Sequence, residues 1–495
     1  PPPPPPPPPR APPQPRHTPH PPTPNAPHHP PHPTPRRARA FVREAISDTE
    51  NDFTVGPINR ALGLLAIPMM LEMAMEAVFA VVDIAFVSRL GTNAIAAVGL
   101  TEALITILYA VAIGLGMGVT AMVSRRIGAK DPVAAAYVMG QAIWVGGVLA
   151  AIIGTIGVVF AADLLRLMGA SEGVIAEGKG FTAMLLGGNA SILYLFLLNA
   201  GFRGAGDAPV ALRSLTLANG LNIVLDPCFI FGIGPFPELG VTGAAVATTI
   251  GRGVGVAYLV WYLFASRGRL EFGLRNLAIA PDLIARMIRI SIGGIGQFLI
   301  ATSSWIAIIR VVAIYGSAPI AAYTIAIRLI EFVFLPAWGL GNAAATLVGQ
   351  NLGAARPDRA EKSVWTAARY NAIFMTVLGF SFVAFAPQMV SLFTDDPEIR
   401  RYGINCLRIL GLGYPMYAVG MIIIQALNGA GDTRTPSFLN FIAFWLIQIP
   451  LAYWLATAVG LGPNGVFLAI VFSESALTVL GVLVFRRGNW RTQEV

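Results

Sequence analysis

The sequence predicts an all-α polytopic membrane protein: twelve transmembrane helices in two parallel six-helix repeats. Composition, the spacing of apolar runs and self-similarity carry that prediction. Of 495 residues, 55% are hydrophobic and 12% charged, whereas a soluble domain carries roughly twice that charge. One anchor does not account for this, because apolar sequence continues from about Ala61 to about Val484 with short polar interruptions.

A span needs about 20 predominantly apolar residues. By that measure twelve spans fall at 61–87, 94–122, 133–160, 181–201, 210–232, 241–265, 283–312, 318–346, 364–392, 404–427, 436–458 and 463–485. The formal charge of +8 would suggest nucleic acid in a soluble protein. Here the bases sit in loops on one side: Arg36, Arg37 and Arg39; Arg125, Arg126 and Lys130; Arg267, Arg269 and Arg275; Arg356, Arg359 and Lys362; Arg486, Arg487 and Arg491. The opposite loops hold Asp163, Glu172, Glu177, Asp395, Asp396 and Glu398. Both termini are therefore expected in the cytoplasm of a plasma membrane, a bacterial inner membrane, with no nucleic-acid partner.

Residues 1–35 hold 21 of the 38 prolines and all five histidines (His17, His20, His28, His29, His32). Such a segment has too few apolar side chains for a core and is expected to be extended or disordered, without function. The run opens at Pro1 with no initiator Met, as a fragment or a mis-set start would, and no signal peptide is visible. Cys228 and Cys406 lie in or beside apolar runs, which argues against a disulfide scaffold or zinc site. The expected organisation is a disordered tail and lead-in over 1–56, an N-lobe over 57–266, a linker over 267–282, a C-lobe over 283–487 and a tail over 488–495.

The repeat emerges when the chain is slid against itself. At +225, Gly91, Ile95, Ala96 and Ala97 fall on Gly316, Ile320, Ala321 and Ala322. Gly114 and Gly116 fall on Gly339 and Gly341, and Gly204-Ala205-Gly206-Asp207 on Gly429-Ala430-Gly431-Asp432. The offset drifts to 223 at Pro227/Pro450 and 222 at Gly240/Gly462. Six spans is an even number, so the halves are parallel and related by an axis along the membrane normal. Transporters of that design bind substrate between halves and rock them, although a duplicated channel or scaffold has the same signature.

Ionisable groups inside spans are costly and point to function. Asp83, Asn222, Asp226 and Thr248 have apolar repeat mates in Ile308, Trp445, Ile449 and Ile470. Asp83, Asp226 and Thr248 each lie roughly 9–12 Å from the external ends of their helices. One polar layer of this kind offers oxygens to a sodium-like ion, or paired carboxylates that load a proton. Glu72, Glu76 and Asp83 fall within roughly 40° on one face of span 1, either walling a cation-attracting cavity or pairing with buried bases such as Arg252, Arg310 or Arg328. In the second half, Gln297 and Ala301 stand where Glu72 and Glu76 stand. Arg328 and Glu331 share a face of span 8 and are expected to pair there or to touch substrate. Glu474 is the repeat mate of Arg252. Pro68, Pro336 and Pro415 bend helices and free carbonyls.

The run Val82-Asp83 through Phe86-Val87-Ser88-Arg89-Leu90-Gly91, the loop Arg203-Gly204-Ala205-Gly206-Asp207, the segment Asn222-Ile223-Val224-Leu225-Asp226-Pro227 and the run Val348-Gly349-Gln350-Asn351-Leu352-Gly353-Ala354 resemble the multidrug and toxic compound extrusion family, most closely its DinF-like branch. The match covers about residues 57–487. The resemblance implies a V-shaped bundle of two six-helix lobes around a central cavity, and export of organic, often cationic compounds in exchange for H+ or Na+. It assigns cation coupling to Asp83, Asn222, Asp226 and Thr248, with Thr249 as a substitute for Thr248. Acidic residues that another branch carries in spans 7 and 10 are absent, which argues against coupling through the second lobe. Substrate-cavity residues are expected at Glu72, Glu76, Gln297, Arg328 and Glu331. No cofactor is expected beyond the coupling ion, and no metal beyond transient Na+; the partners are small organic substrates and membrane lipids, and the unit is a monomer. A lipid-linked flippase with the same fold is the alternative. No GxxxxGK[ST] loop supports primary pumping, and the absence of HExxH or a body histidine argues against an enzyme.

Overall fold

Residues that favour helix at every apolar run fold into helices throughout the membrane body, and the polar punctuation between them supplies the caps. The computed structural model describes residues 35–47, 51–265, 267–493 and 495; of the tail expected over 1–35 to be extended or disordered, 1–34 lie outside the described residues, and the lead-in expected to be disordered instead holds a helix at Pro35–Ala45. The whole membrane body belongs to one compact unit, Phe41–Val495.

Among the described residues, twelve helices are long and apolar enough to cross a membrane. They are α1 Ile58–Val87, α2 Thr92–Gly128, α3 Pro132–Val159, α4 Glu172–Ala205, α5 Ala208–Phe231, α6 Val241–Phe264, α7 Pro281–Ala313, α8 Ser317–Gly353, α9 Pro357–Ser391, α10 Pro397–Gly429, α11 Arg434–Ala458 and α12 Pro463–Arg487. Proline occupies the first position of α3, α7, α9, α10 and α12, where its missing N–H costs nothing. Asp131 and Asp396 cap α3 and α10 by accepting backbone N–H bonds.

Both α2 and α8 run 37 residues, roughly 55 Å at the α-helical rise, so they extend well past a hydrocarbon core of about 30 Å. Hydropathy stops at 122 and 346 because side chains turn polar there, while the backbone hydrogen bonds continue. Helix α4 is interrupted at Gly188, between Glu172–Gly187 and Asn189–Ala205. The Asn189 amide donates to the Leu186 and Ala150 carbonyls at 2.6 and 3.0 Å, satisfying groups near the break.

The repeat is written into the backbone. Gly91 and Gly316 have φ of 105° and 98°, Gly206 and Gly431 91° and 90°, Gly240 and Gly462 56° and 58°. Lys130 and Ala355, also 225 apart, are the two non-glycine residues with positive φ among the described residues, at 62° and 54°. One loop geometry has thus been retained in both halves where the side chain does not favour it.

The lobes are sealed at the end bearing the basic loops. Leu62, Leu65 and Met69 of α1 pack with Leu340, Leu347 and Val348 of α8 and with Ile422 and Leu427 of α10 in one buried core. A Cβ on Gly114 would meet Ile295 of α7, and one on Gly339 would meet Met69 and Met70 of α1; the pairs Gly114/Gly339 and Met70/Ile295 are repeat mates. At the other end Gly91, Gly99 and Gly316 have nothing within 4 Å of such a Cβ. The V therefore opens away from the basic loops.

Candidate functional site

The polar layer is built by α1, α5 and α6 of the first lobe. From α5, the Asn222 amide donates to Asp226 Oδ1 at 3.3 Å and to Thr248 Oγ1 of α6 at 3.0 Å. Asn222 and Asp226 are buried, at 1% and 0% exposure. Asp83 of α1 lies in electrostatic range of Asp226, of Arg252 on α6 and of Glu102 on α2. Asp83 Oδ1, Asn222 Oδ1 and Asp226 Oδ2 are enclosed and receive no hydrogen bond. Buried acceptors are ordinarily satisfied, so three unfilled oxygens in one layer leave an arrangement that a cation or protons would complete. Thr249 instead donates to its own helix, at the Ala245 carbonyl, 2.8 Å away.

Below that layer the acidic stripe of α1 is closed by bases. Glu72, 1% exposed, pairs with Arg203 of α4 at 2.6 Å. Glu76 accepts from Arg252 at 3.3 Å and from Asn219 of α5 at 3.1 Å. The Arg252 guanidinium also lies 5.6 and 5.8 Å from the ring centroids of Phe79 and Tyr109. Of the two arrangements open to Glu72 and Glu76, the geometry shows internal pairing, with Arg252 the expected partner for Glu76 and Arg203 an unforeseen one for Glu72.

The five expected cavity residues do not form one wall. Glu72 is buried and Glu76 half-buried on paired bases of the first lobe, Gln297 lines a cavity of the second, and Arg328 and Glu331 are exposed on α8. Arg328 is in electrostatic range of Glu331 and also of Glu102, across the lobes. Glu102 is absent from the residues expected on sequence grounds, although its position in an apolar run signals it as clearly as that of Asp83. Near the basic end the lobes are bonded directly: Thr346 donates to the Arg203 carbonyl at 3.1 Å and Gln350 to the Gly204 carbonyl at 3.0 Å.

This architecture is shared. A sequence model of the MatE family matches residues 68–228 and 295–454, one stretch in each repeat. A probable multidrug resistance protein NorM of Thermotoga maritima is 28% identical over 445 residues, 89% of this chain and 95% of its own. A FAD transporter of Shewanella oneidensis is 27% identical, with coverage of 80% and 88%. Among solved structures, the outward-facing conformation of a multidrug resistance MATE family transporter superposes with a TM-score of 0.83 at 27% identity, covering 88% of this chain and 97% of its own. With both repeats matched and the two-lobed fold reproduced, the chain belongs to the MatE family, the multidrug and toxic compound extrusion transporters of the membrane, which are not enzymes.

Proposed function

We propose that the chain is a secondary antiporter that exports small organic, often cationic compounds in exchange for H+ or Na+, by alternating access between an N-lobe over 57–266 and a C-lobe over 283–487. The single observation that carries this reading is the trio of unfilled oxygens on Asp83, Asn222 and Asp226. They lie in a lobe whose partner has only apolar residues at the corresponding positions. Ion loading of that layer lets a gradient do work, and for each net elementary charge carried across the membrane the potential adds about 2.3 kcal/mol per 100 mV. Placing the basic loops in the cytoplasm of a bacterial inner membrane puts both termini there and makes this conformation outward-facing. The functional unit is a monomer in contact with lipid. A flippase for a lipid-linked anion calls for a basic cavity, and the unfilled groups on Asp83, Asn222 and Asp226 are acceptors.

Efflux of a cationic dye from proteoliposomes tests the reading. Concentrative transport driven by a proton or a sodium gradient alone, and lost when that gradient is collapsed, is expected and names the ion. Equilibration of the dye regardless of either gradient would identify a channel instead.

A further inference from the structure

The second lobe contains a cavity of about 120 Å³ that the coupling layer does not use, lined by Glu474 of α12, Gln297 of α7, Asn440 of α11, Trp338 of α8, Tyr417 of α10 and Phe444 of α11. The repeat explains why it is there. In the first lobe the same space is filled by the Glu76–Arg252 pair. In the second, Ala301 replaces Glu76 and Glu474 replaces Arg252. The exchange removes the long side chains and leaves a carboxylate with no arginine opposite it. Among the described residues no Lys or Arg lies in electrostatic range of Glu474, while the Tyr417 ring does.

Two further oxygens in the cavity lack hydrogen bonds: Gln297 Oε1 and Asn440 Oδ1, on residues each 6% exposed. A carboxylate and two acceptor oxygens suit a donor with positive charge, and Trp338, Tyr417 and Phe444 supply an aromatic lining for an attached ring. A dehydrated inorganic ion would leave most of the space empty, since a water's share of volume is only about 30 Å³. A cavity of about 150 Å³ takes benzene, so one of about 120 Å³ has room for an ammonium arm and most of one ring, and for nothing larger.

The geometry points to a second ligand site, inside the C-lobe, that binds the ammonium end of a small aromatic monocation through Glu474, with Gln297 and Asn440 accepting its N–H bonds. The wall is completed by Met117 of α2, from the other lobe, so occupancy is tied to the lobes being together at this depth. The site is separate from the coupling layer and does not rest on the antiport reading.

Titration of the purified full chain in detergent with benzylammonium, by calorimetry, tests this. Saturable binding is expected, at least tenfold tighter than for uncharged benzyl alcohol or for methylammonium, with tenfold corresponding to about 1.4 kcal/mol. Glu474→Gln should weaken benzylammonium by tenfold or more and leave benzyl alcohol unchanged, whereas Asp226→Asn should leave benzylammonium within a factor of about two. Should Glu474→Gln lose its thermal transition, Ala301→Met, which fills the cavity and keeps the carboxylate, should abolish the same binding. Unchanged affinity in Glu474→Gln or in Ala301→Met would overturn the site. So would loss in Asp226→Asn alone, or displacement by equimolar Na+ with methylammonium binding as well as benzylammonium.

Discussion

Gly128 and Gly353, 225 positions apart, lie against each other's helix ends: a Cβ on Gly128 would sit 2.0 Å from the Gln350 carbonyl oxygen, and one on Gly353 2.0 Å from that of Arg125. Arg125 and Gln350 are themselves repeat mates, so the contact is reciprocal and marks the pseudo-twofold axis at the closed end. Because these contacts are to backbone, a methyl group cannot be absorbed by a side-chain rotation. Gly353→Ala should add about 1–3 kcal/mol of overpacking to the closed end. In a Cys228→Ser background, Thr346→Cys then reports the seam, and its thiol labelling from the basic side should rise by roughly tenfold or more. Unchanged labelling would mean that this clasp does not hold the lobes.

A strap crosses the same end. Asp52 bonds Lys130 at 2.6 Å, and Arg356 and Arg359 donate to the carbonyls of Phe53, Thr54, Val55 and Gly56. Partial burial opposes the Asp52 charge. Hydrogen bonds from Lys130 and Thr54, together with the Lys130 charge, outweigh it and hold the carboxyl at about 2, below its ordinary 3.8. A depressed folded value makes the stabilisation complete above the ordinary value and lost as pH falls through about 2. Hydrogen exchange over 51–56, compared at matched pH with Lys130→Met, should differ at pH near 5 and converge near pH 2. A difference independent of pH would contradict this role for Asp52.

Arg252 is buried, with 3% side-chain exposure against 23% for Glu76, so removing Glu76 strands a buried guanidinium. Glu76→Leu should cost about 3 kcal/mol in unfolding free energy, while Glu76→Leu with Arg252→Leu should recover most of it. Denaturation in detergent gives both values; additive losses would show that the two residues do not act as a pair.

Thr248 and Thr249 are adjacent but differently employed. Thr248→Ala removes an acceptor of the Asn222 amide, worth about 1 kcal/mol, and should raise the ion concentration for half-maximal efflux by roughly fivefold. Thr249→Ala loses only a bond to its own helix and should stay within about twofold. Equal shifts would contradict the assignment.

Much of this was legible in the sequence because it is one-dimensional. Spans follow from runs of apolar residues, the repeat from a fixed offset, and the polar layer proposed for coupling from polar groups with apolar mates. The partner of Glu72 was not legible, since Arg203 lies 131 positions away on a helix whose rotation the hydropathy does not set. Nor were the π-helical turns of α11 at Phe441–Gln448 and Trp454–Ala458, which differ from α-helix in hydrogen-bond register rather than composition. The Glu474 cavity was hidden for another reason: it is made by the smallness of Ala301, and a void has no letter in the sequence.

The proposed coupling rests on Asp83 and Asp226 as the residues that carry the ion. Gradient-driven dye efflux from proteoliposomes, measured for Asp83→Asn and Asp226→Asn at matched insertion, tests it most directly. Both variants should lose concentrative efflux under a sodium gradient and under a proton gradient alike, while binding dye within about threefold of the unsubstituted chain. Efflux at the unsubstituted rate in either variant would contradict it.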